Sequence, residues 1–301
     1  MTATEPAKIA VRTLATKTHK KVSISQIIIY IALSLWALTT IYPFIWVILN
    51  SFKKKGLIRS QSFTIPLGDA FTLDNYKTAF ERMDVFSAYR NSMIISTCVT
   101  LAVIIIAGFA AYGLARYSFK GKKLVYSIVV ASMMFPVFST IIPVHRMMFG
   151  WGLASTGKLG LSLISVMLPQ IAGNLAFSII VLMGFIRSLP VDLEESAYLE
   201  GCNIFQIFFR IIVPVTKPSF ATVAIFTFLW SYNDLFTQSF FLRYKDLYAV
   251  TLLLNELSSQ AGVNYGLMAS SVVLVVVPVL IVYIFLQKNI IKGMTAGAIK
   301  G

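Results

Sequence analysis

The chain has 301 residues, of which 57% are hydrophobic and 13% are charged, and its mean hydropathy is +0.78. Soluble domains carry about 45–50% apolar and about 25% charged residues, so this composition excludes an ordinary soluble domain. The formal net charge of +14 does not indicate a nucleic-acid partner, because the basic residues are scattered between apolar runs and are better explained as flanks that orient membrane helices beside anionic lipid.

The first segment, 1–25, is polar and basic. The apolar run after it is too long for the hydrophobic region of a signal peptide, and no small-residue cleavage site closes it. We therefore predict a cytoplasmic N-terminal tail over 1–25 that is retained before the first membrane span.

Six apolar runs are long enough to cross a bilayer as helices, which takes about 20 residues each. They lie at 26–50, 91–115, 124–148, 160–186, 215–242 and 267–287. The sequence therefore predicts an all-α, polytopic membrane protein with a six-span domain over 26–290 and a C-terminal tail over 291–301. Prolines inside the runs, such as Pro136 and Pro143 in the third, predict kinks.

The distribution of Lys and Arg favours a cytoplasmic location for both termini. The basic N-terminal tail and the loop from Arg116 to Lys123 lie on the predicted inner side, where basic loops are enriched. The excess is small, because Lys53, Lys54 and Lys55 follow the first span on the predicted outer side. The mixed-charge segment 53–90 is predicted to form a small extracellular cap.

The predicted inner loop 187–214 contains a cluster of acidic residues. Asp192, Glu194 and Glu195 fall in the first turn of a predicted helix, where the helix dipole favours negative charge. That helix should end at Gly201, since glycine is the usual residue for a left-handed C-terminal position.

A second, apolar helix is predicted to begin directly after this turn. Asn203 can cap it, and Gln206 three residues later completes a capping-box pattern. The helix should lie near the membrane surface and end before Pro214. Local chemistry leaves two interpretations open: a solvated loop between spans, or an element that docks on another protein.

The motif in this loop resembles the EAA loop of bacterial ABC importer permeases. Glu195-Ser196-Ala197 is followed at the right distances by Gly201 and Pro214, with Ser196 in place of an alanine and Glu200 where an aspartate is common. The resemblance implies a coupling helix seated in a cytoplasmic ATPase subunit, with Glu195 as a key polar contact and Gly201 at the turn. The implied ATPase-coupling residues are Glu195, Ser196, Ala197, Glu200, Gly201 and Pro214.

Two further motifs resemble those of carbohydrate-uptake permeases. YNDLF, from Tyr232 to Phe236, resembles a Trp-Asn-Asp-Phe element with tyrosine in place of tryptophan. KGMTAGAIKG, 292–301, is similar to the terminal tail of the smaller maltose-transporter permease, which reaches between the ATPase subunits. That similarity implies ATPase contacts at Thr295, Ala296, Gly297 and Lys300.

The resemblance also implies the partners and the location. These are two ATPase subunits, a second homologous permease and an extracellular or periplasmic sugar-binding protein, assembled in the bacterial inner membrane around a sugar pathway. ATP and Mg would be bound by the ATPases, and this chain would not be an enzyme. Consistently, the loop 152–159 nearly spells a phosphate-binding loop but has Leu159 where the Mg-binding hydroxyl is required.

The acid at Asp234, at the outer part of the predicted fifth span, has two interpretations. It can line the translocation pathway together with Trp230, Tyr232 and Asn233, or it can belong to a structural hydrogen-bonded cluster. A lone coupling acid would also be the main support for the alternative function, an ion-coupled secondary transporter. His145 has no second histidine or cysteine at metal-ligand spacing, so no metal site is predicted.

Overall fold

The computed structural model describes residues 23–82, 84–262 and 264–298. The described chain folds as helices and loops, and its β structure is limited to an isolated antiparallel bridge between Lys53 and Phe71. The chain divides into two units, 1–46 and 47–301.

Fourteen α-helices are described. In chain order they are α1 Ile24–Ser51, α2 Leu57–Ser60, α3 Asp74–Arg82, α4 Val85–Arg116, α5 Lys122–Ser132, α6 Val137–Gly150, α7 Leu159–Arg187, α8 Asp192–Leu199, α9 Ile204–Ile207, α10 Val213–Val215, α11 Lys217–Asn233, α12 Leu235–Phe241, α13 Val250–Ala261 and α14 Tyr265–Ala298. A π-helical turn, Phe208–Ile212, joins α9 to α10.

Among the described residues, three helices, α1, α4 and α7, are individually long and apolar enough to cross a membrane. Two bent pairs raise this number to as many as five: α5 with α6, bent by 103°, and Ile204–Val215 with α11, bent by 81°. The sixth predicted span falls in α14, whose apolar part, Tyr265–Ile281, is shorter. The all-α membrane architecture is confirmed, and the count of six spans stays a prediction.

The third predicted span, 124–148, is not one kinked helix, and that prediction is wrong. Pro136 has extended backbone angles, φ −70° and ψ 133°, and precedes the first residue of α6. Proline has no N–H to donate and disfavours helical geometry in Phe135 before it, so the helix stops instead of bending. Pro143, by contrast, lies inside α6.

The fifth predicted span, 215–242, is also broken. Helix α11 ends at Asn233, and the Asp234 carboxylate accepts a hydrogen bond from the Thr237 N–H to cap α12. A carboxylate that satisfies a free N–H favours the start of a new helix, which the run of apolar residues concealed.

The largest buried cluster of the second unit includes one face of α4 packed on α7. Val99, Val103, Ala107 and Ala111, spaced four residues apart on α4, are completely buried. Such a stripe lies on one side of a helix, and its small residues let a neighbouring backbone come close. Helix α4 is therefore the central element against which the acidic loop 187–214 is packed.

The predicted outer segment is held by buried polar groups. The Asn75 amide donates to the carbonyls of Ser51 and Lys53, at 2.8 and 2.9 Å. The Lys53 ammonium is buried and donates to the Gln61 carbonyl at 2.6 Å, and burial lowers the pKa of this lysine. These bonds tie the ends of 51–75 together. The extracellular cap over 53–90 stays a prediction.

Candidate functional site

The acidic loop contains helix α8, and its carboxylates do not all face the same way. Asp192, Glu194 and Glu195 lie in the first turn as predicted. Glu194 is buried, whereas Glu195 and Glu200 are exposed. The loop therefore separates an acid that faces the protein from acids that remain accessible to a partner.

Glu194 is held by two side chains of α4. Its Oε1 lies 2.5 Å from the Arg116 Nε, and its Oε2 accepts a hydrogen bond from the Tyr112 hydroxyl at 2.9 Å. Arg116 also donates through Nη2 to the Leu189 carbonyl at 3.0 Å, in the segment that enters the loop. The Arg116 and Glu194 side chains are 9% and 6% exposed, so this is a buried ion pair.

A second contact joins α8 to the end of α4 through two tyrosines. The hydroxyls of Tyr117 and Tyr198 are 2.9 Å apart. The hydrogen bond with Tyr117 is the main cause that raises the pKa of Tyr198 to about 12. Tyr198 therefore acts as a neutral hydrogen-bonding group near neutral pH.

The predicted turn at Gly201 is confirmed. Gly201 has φ +82°, and the N–H groups of Gly201 and Cys202 donate to the carbonyls of Tyr198 and Ala197, both at 3.0 Å. This pair of bonds is the Schellman arrangement that ends a helix. No atom lies within 4 Å of a Cβ built at Gly201, so the glycine is required by backbone conformation and not by space.

The predicted capping box after the turn is also confirmed. The Asn203 side chain accepts from the Gln206 N–H at 2.9 Å, and the Gln206 side chain accepts from the Asn203 N–H at 2.8 Å. The predicted end before Pro214 is wrong, because the helical segment continues to Val215. The π turn at 208–212 widens the backbone immediately before the proline, which relieves the contact its ring would otherwise make with the preceding turn.

The apolar helix after Gly201 packs on α4 through aromatic rings. The Phe208 ring stacks on Phe109 at 4.5 Å between centroids, and Phe109 also contacts Phe205 and Phe209 edge-on. A Cβ at Gly108 would lie 3.0–3.2 Å from the rings of Phe220 and Phe208, so a larger residue there would require these rings to shift by a small amount.

The outward face of the loop combines acids with apolar side chains. Leu199 is 90% exposed, and Tyr198 and Phe205 are exposed beside the accessible Glu195 and Glu200. An exposed apolar patch bordered by charge is typical of a protein interaction site. This arrangement favours the docking interpretation of the loop over that of a solvated connection.

The predicted ATPase-contacting tail is described only in part. The backbone of 295–297, which includes Thr295, Ala296 and Gly297, continues helix α14 to Ala298. Lys300 lies outside the described residues. The ATPase contacts of all four residues stay a prediction.

A cavity of about 860 Å³ lies beside the break in the predicted third span and is lined by residues of α6, α7, α11 and α12. Of the four predicted pathway residues, Trp230 and Asp234 line it. The rest of its wall is mostly apolar and aromatic, and its polar side chains are Ser132, Thr140, Gln170, Asn174, Ser231 and Thr237. Such a lining, with a few placed polar groups, is typical of a small-molecule site.

Asp234 belongs to a hydrogen-bonded cluster as well as to the cavity wall. The Gln170 amide donates to its Oδ2 at 2.8 Å, and the Thr237 N–H donates to its Oδ1 at 2.9 Å. The Ser231 hydroxyl in turn donates to the side-chain Oε1 of Gln170 at 2.6 Å. Both carboxylate oxygens are therefore occupied within the protein, as the structural interpretation requires, and this occupation does not favour a proton- or ion-coupling acid.

Tyr232 and Asn233 do not line the cavity. Tyr232 is 1% exposed and packs with Val250 and Val275, and the Asn233 amide donates to the Leu229 carbonyl at 2.8 Å. Tyr232 is buried and Asn233 is exposed outside this cavity, so the cavity contains only two of the four residues. The pathway role of the four residues stays a prediction.

No group of three His, Cys, Asp or Glu side chains that could hold a metal ion occurs in the part of the chain that the structure describes. His145 packs on the Phe241 ring, at 5.2 Å between centroids. Within the described part of the chain, the acidic loop offers groups for docking and the cavity offers aromatic and hydrogen-bonding groups.

The sequence did not predict the partnership of Arg116, Tyr112 and Glu194. From the sequence, Arg116 is an orienting charge and Glu194 is one of several equivalent acids. A weak signal existed, since Arg116 ends a long apolar run and Glu194 precedes the motif glutamate. Their pairing joins positions 78 residues apart, which no local pattern reveals.

Known proteins are similar to this chain in sequence over most of its length. Residues 102–296 match the model of the family described as binding-protein-dependent transport system inner membrane component. The chain is 32% identical over 270 residues to a diacetylchitobiose uptake system permease protein of Streptomyces coelicolor, covering 89% of this chain and 87% of that protein. It is 32% identical over 276 residues to a galactooligosaccharides transport system permease protein of Bacillus subtilis, covering 90% and 94%.

A solved structure has the same fold. A chain of a bacterial ABC transporter involved in the import of the acidic polysaccharide alginate matches with a TM-score of 0.73, at 22% sequence identity, over 88% of this chain and 96% of that chain.

Proposed function

The chain belongs to the family of binding-protein-dependent transport system inner membrane components, and on that premise we propose that it forms half of the translocation pathway of an ATP-driven importer for a sugar or oligosaccharide. The relatives are permease subunits, so the chain itself is a transport component and not an enzyme. The exposed acidic and apolar face of α8, ended by the turn at Gly201, is the observation that carries the proposal.

The substrate class is supported by two observations. The names of the relatives from Streptomyces coelicolor and Bacillus subtilis refer to diacetylchitobiose and galactooligosaccharides. In this chain, the cavity at the break between α5 and α6 is lined by the indole of Trp230, which can serve as a stacking surface, and by Asn174 and Thr140 among its polar side chains. Neutral sugars present apolar ring faces and hydroxyls, which fit such a wall.

Coupling to ATP hydrolysis is assigned to the exposed residues of the loop. Glu195 and Glu200 would meet basic or N–H groups of an ATPase subunit, with the exposed Ser196 on the same short helix. Ala197, also on this helix, is buried and would hold the helix against the protein. Gly201 makes the turn, and Pro214 belongs to the helical segment that leads into α11. Closure of the ATPase dimer then moves α8, and rigid-body rocking of the spans alternates access to the cavity.

The assembly proposed for this chain contains two ATPase subunits, which bind ATP and Mg, a second homologous permease and an extracellular or periplasmic sugar-binding protein. The family description supports the binding protein and the inner membrane. The most apolar part of helix α1 is not buried within the chain. This exposure supports a position of α1 in lipid or against another subunit. Both termini are proposed to lie in the cytoplasm, with the tail residues Thr295, Ala296, Gly297 and Lys300 between the ATPases.

The proposal is tested by purifying the tagged chain from its native membrane and identifying its partners by mass spectrometry. We expect an ATPase, a second permease and a sugar-binding protein, and ATP-dependent uptake of labelled oligosaccharide by reconstituted vesicles. Uptake driven by a proton or sodium gradient without ATP would refute the proposal and favour the secondary-transporter alternative.

A further inference from the structure

Besides the Tyr117–Tyr198 hydrogen bond, two groups of contacts join the acidic loop to α4. The first is polar and joins Glu194 to Arg116 and Tyr112. The second is apolar and joins the helix after Gly201 to Phe109 through the Phe208 ring. One contact group precedes the glycine turn in the chain and the other follows it, so displacement of the loop reaches α4 through both.

The buried charges of the polar contact group are hydrogen-bonded within the protein. Both oxygens of Glu194 accept a hydrogen bond, and Arg116 donates to Glu194 through Nε and to the Leu189 carbonyl through Nη2. An isolated buried charge is costly, whereas a buried pair with its remaining groups bonded is tolerated. Neither side chain can leave this position without leaving the other as an unpaired buried charge.

The position of Arg116 makes this pair a mechanical link. Arg116 is the last residue of α4, a helix of 32 residues. Its guanidinium fork holds the segment of chain that enters the loop, at Leu189, and the first turn of α8, at Glu194. A planar fork that bonds two groups restrains orientation as well as distance.

The neighbouring acid provides the contrast that separates two roles. Glu195 is exposed while Glu194 is buried, although the two are adjacent in sequence. A change at Glu195 acts on docking of the ATPase, whereas a change at Glu194 acts on the transmission of movement after docking.

We propose that Arg116 and Glu194, supported by Tyr112, form a clamp that transmits movement of α8 to α4, and that they are positioning residues for coupling rather than contacts of the ATPase. The inference rests on the proposed function and deepens it. It predicts that loss of the clamp leaves the ATPase bound and active while transport per ATP falls.

The test replaces the ion pair by a covalent link that can be removed. Cys98 and Cys202 are the two cysteines of the chain, and both are changed to serine. Arg116→Cys and Glu194→Cys are then introduced together, and the complete complex is purified with its partners and reconstituted. A bifunctional methanethiosulfonate reagent of about the combined length of the two lost side chains joins the new thiols, and a reductant releases them.

We expect the unlinked double variant to assemble with its ATPases, to hydrolyse ATP, and to import about three- to tenfold less sugar per ATP than the cysteine-free parent. Linking the two thiols should restore most of the parent's ratio of sugar imported to ATP hydrolysed. Reduction of the link should lower that ratio again. The sugar is labelled diacetylchitobiose or a galactooligosaccharide, whichever the parent imports.

The matched control places the same two cysteines at Lys77 and Glu81, an exposed ion pair in α3 with 3.9 Å between its charged atoms. Neither the unlinked nor the linked control should change the ratio of sugar to ATP. A single Glu194→Gln variant, which keeps the size of the side chain, gives a second measure if the cysteine pair lowers the yield of complex.

The inference is overturned if the unlinked variant and Glu194→Gln both import as much sugar per ATP as the parent, or if linking leaves a reduced ratio unchanged. The proposed function fails separately, if the parent complex contains no ATPase or imports neither sugar at the expense of ATP. A clamp variant with normal coupling in a parent that is clearly ATP-driven removes only the inference.

Discussion

Substitution of Gly201 should weaken the turn by an amount that the backbone alone determines. Gly201 has φ +82°, and a Cβ there would meet no atom within 4 Å. A residue other than glycine in the left-handed region costs about 1–2 kcal/mol, and no clash is added. The expected order of turn stability is therefore glycine, then asparagine, then alanine, then valine, since asparagine tolerates this region and β-branched residues do not.

The free-energy cost of substituting Gly201 can be measured by amide hydrogen exchange. A cost of about 1–2 kcal/mol is about 5- to 30-fold in the equilibrium between the closed and the open turn. The Cys202 N–H, which donates to the Ala197 carbonyl at 3.0 Å, should lose hydrogen-exchange protection by that factor in Gly201→Ala. Exchange is followed by mass spectrometry on the reconstituted chain, with each peptide's own unstructured rate as the reference.

The control is Gly184→Ala in α7, where a helical glycine also has no atom within 4 Å of its Cβ. Protection at Cys202 should stay as in the parent, because alanine is at ease in a helix. Unchanged protection in Gly201→Ala would refute the assignment of backbone strain to this turn. A larger loss for asparagine than for alanine would show that side-chain volume, and not φ, limits this position.

Three other changes have defined outcomes. Glu195→Lys should abolish ATP-driven uptake and lower the yield of co-purified ATPase by about tenfold or more, as expected for a reversed interface charge. The amount of chain in the membrane, measured by immunoblot, should stay constant because Glu195 is exposed. Normal uptake would contradict the role of Glu195 in docking. Asp234→Ala removes the acceptor for the Thr237 N–H and should lower the free energy of unfolding by about 0.5–2 kcal/mol, seen as a reduced midpoint in thermal unfolding in detergent; an unchanged midpoint would contradict the capping role. Gly266→Ala would bring a Cβ within 2.7–2.9 Å of the Asn75 amide. Displacing the hydrogen bonds of Asn75 should lower the free energy of unfolding by about 1–3 kcal/mol, measured as a lower midpoint in the same thermal unfolding experiment. An unchanged midpoint would show that Asn75 can move without loss of stability.

Much of the loop could be predicted because its signals are local. The acids of the first turn, the turn at Gly201 and the capping box of Asn203 and Gln206 each depend on residues within a few positions of one another. Backbone preferences and hydrogen bonds at helix ends act over this range. Hydropathy is also a local property, and for this reason the apolar runs identified the long helices correctly.

The breaks in the spans could not be predicted from local signals. Pro136 and Pro143 both lie in the predicted third span, and only the first ends a helix. A proline can kink a helix or stop it, depending on whether neighbouring elements satisfy the freed carbonyls. At Asp234 the break is stabilised by Gln170, which reaches the carboxylate from α7.

Hydropathy, helix caps and left-handed glycine conformations act between near neighbours. The amino-acid sequence alone therefore predicts an all-α membrane protein with an acidic helix, a glycine turn and an apolar helix between spans. Packing between distant elements turns Glu194 inward and leaves Glu195 exposed, and it buries Tyr232 while Trp230 faces the cavity. Adjacent residues on a helix point about 100° apart, so which of them is buried depends on the helix that packs against them. For Glu194 that helix is α4, which brings Arg116 to it from 78 positions away.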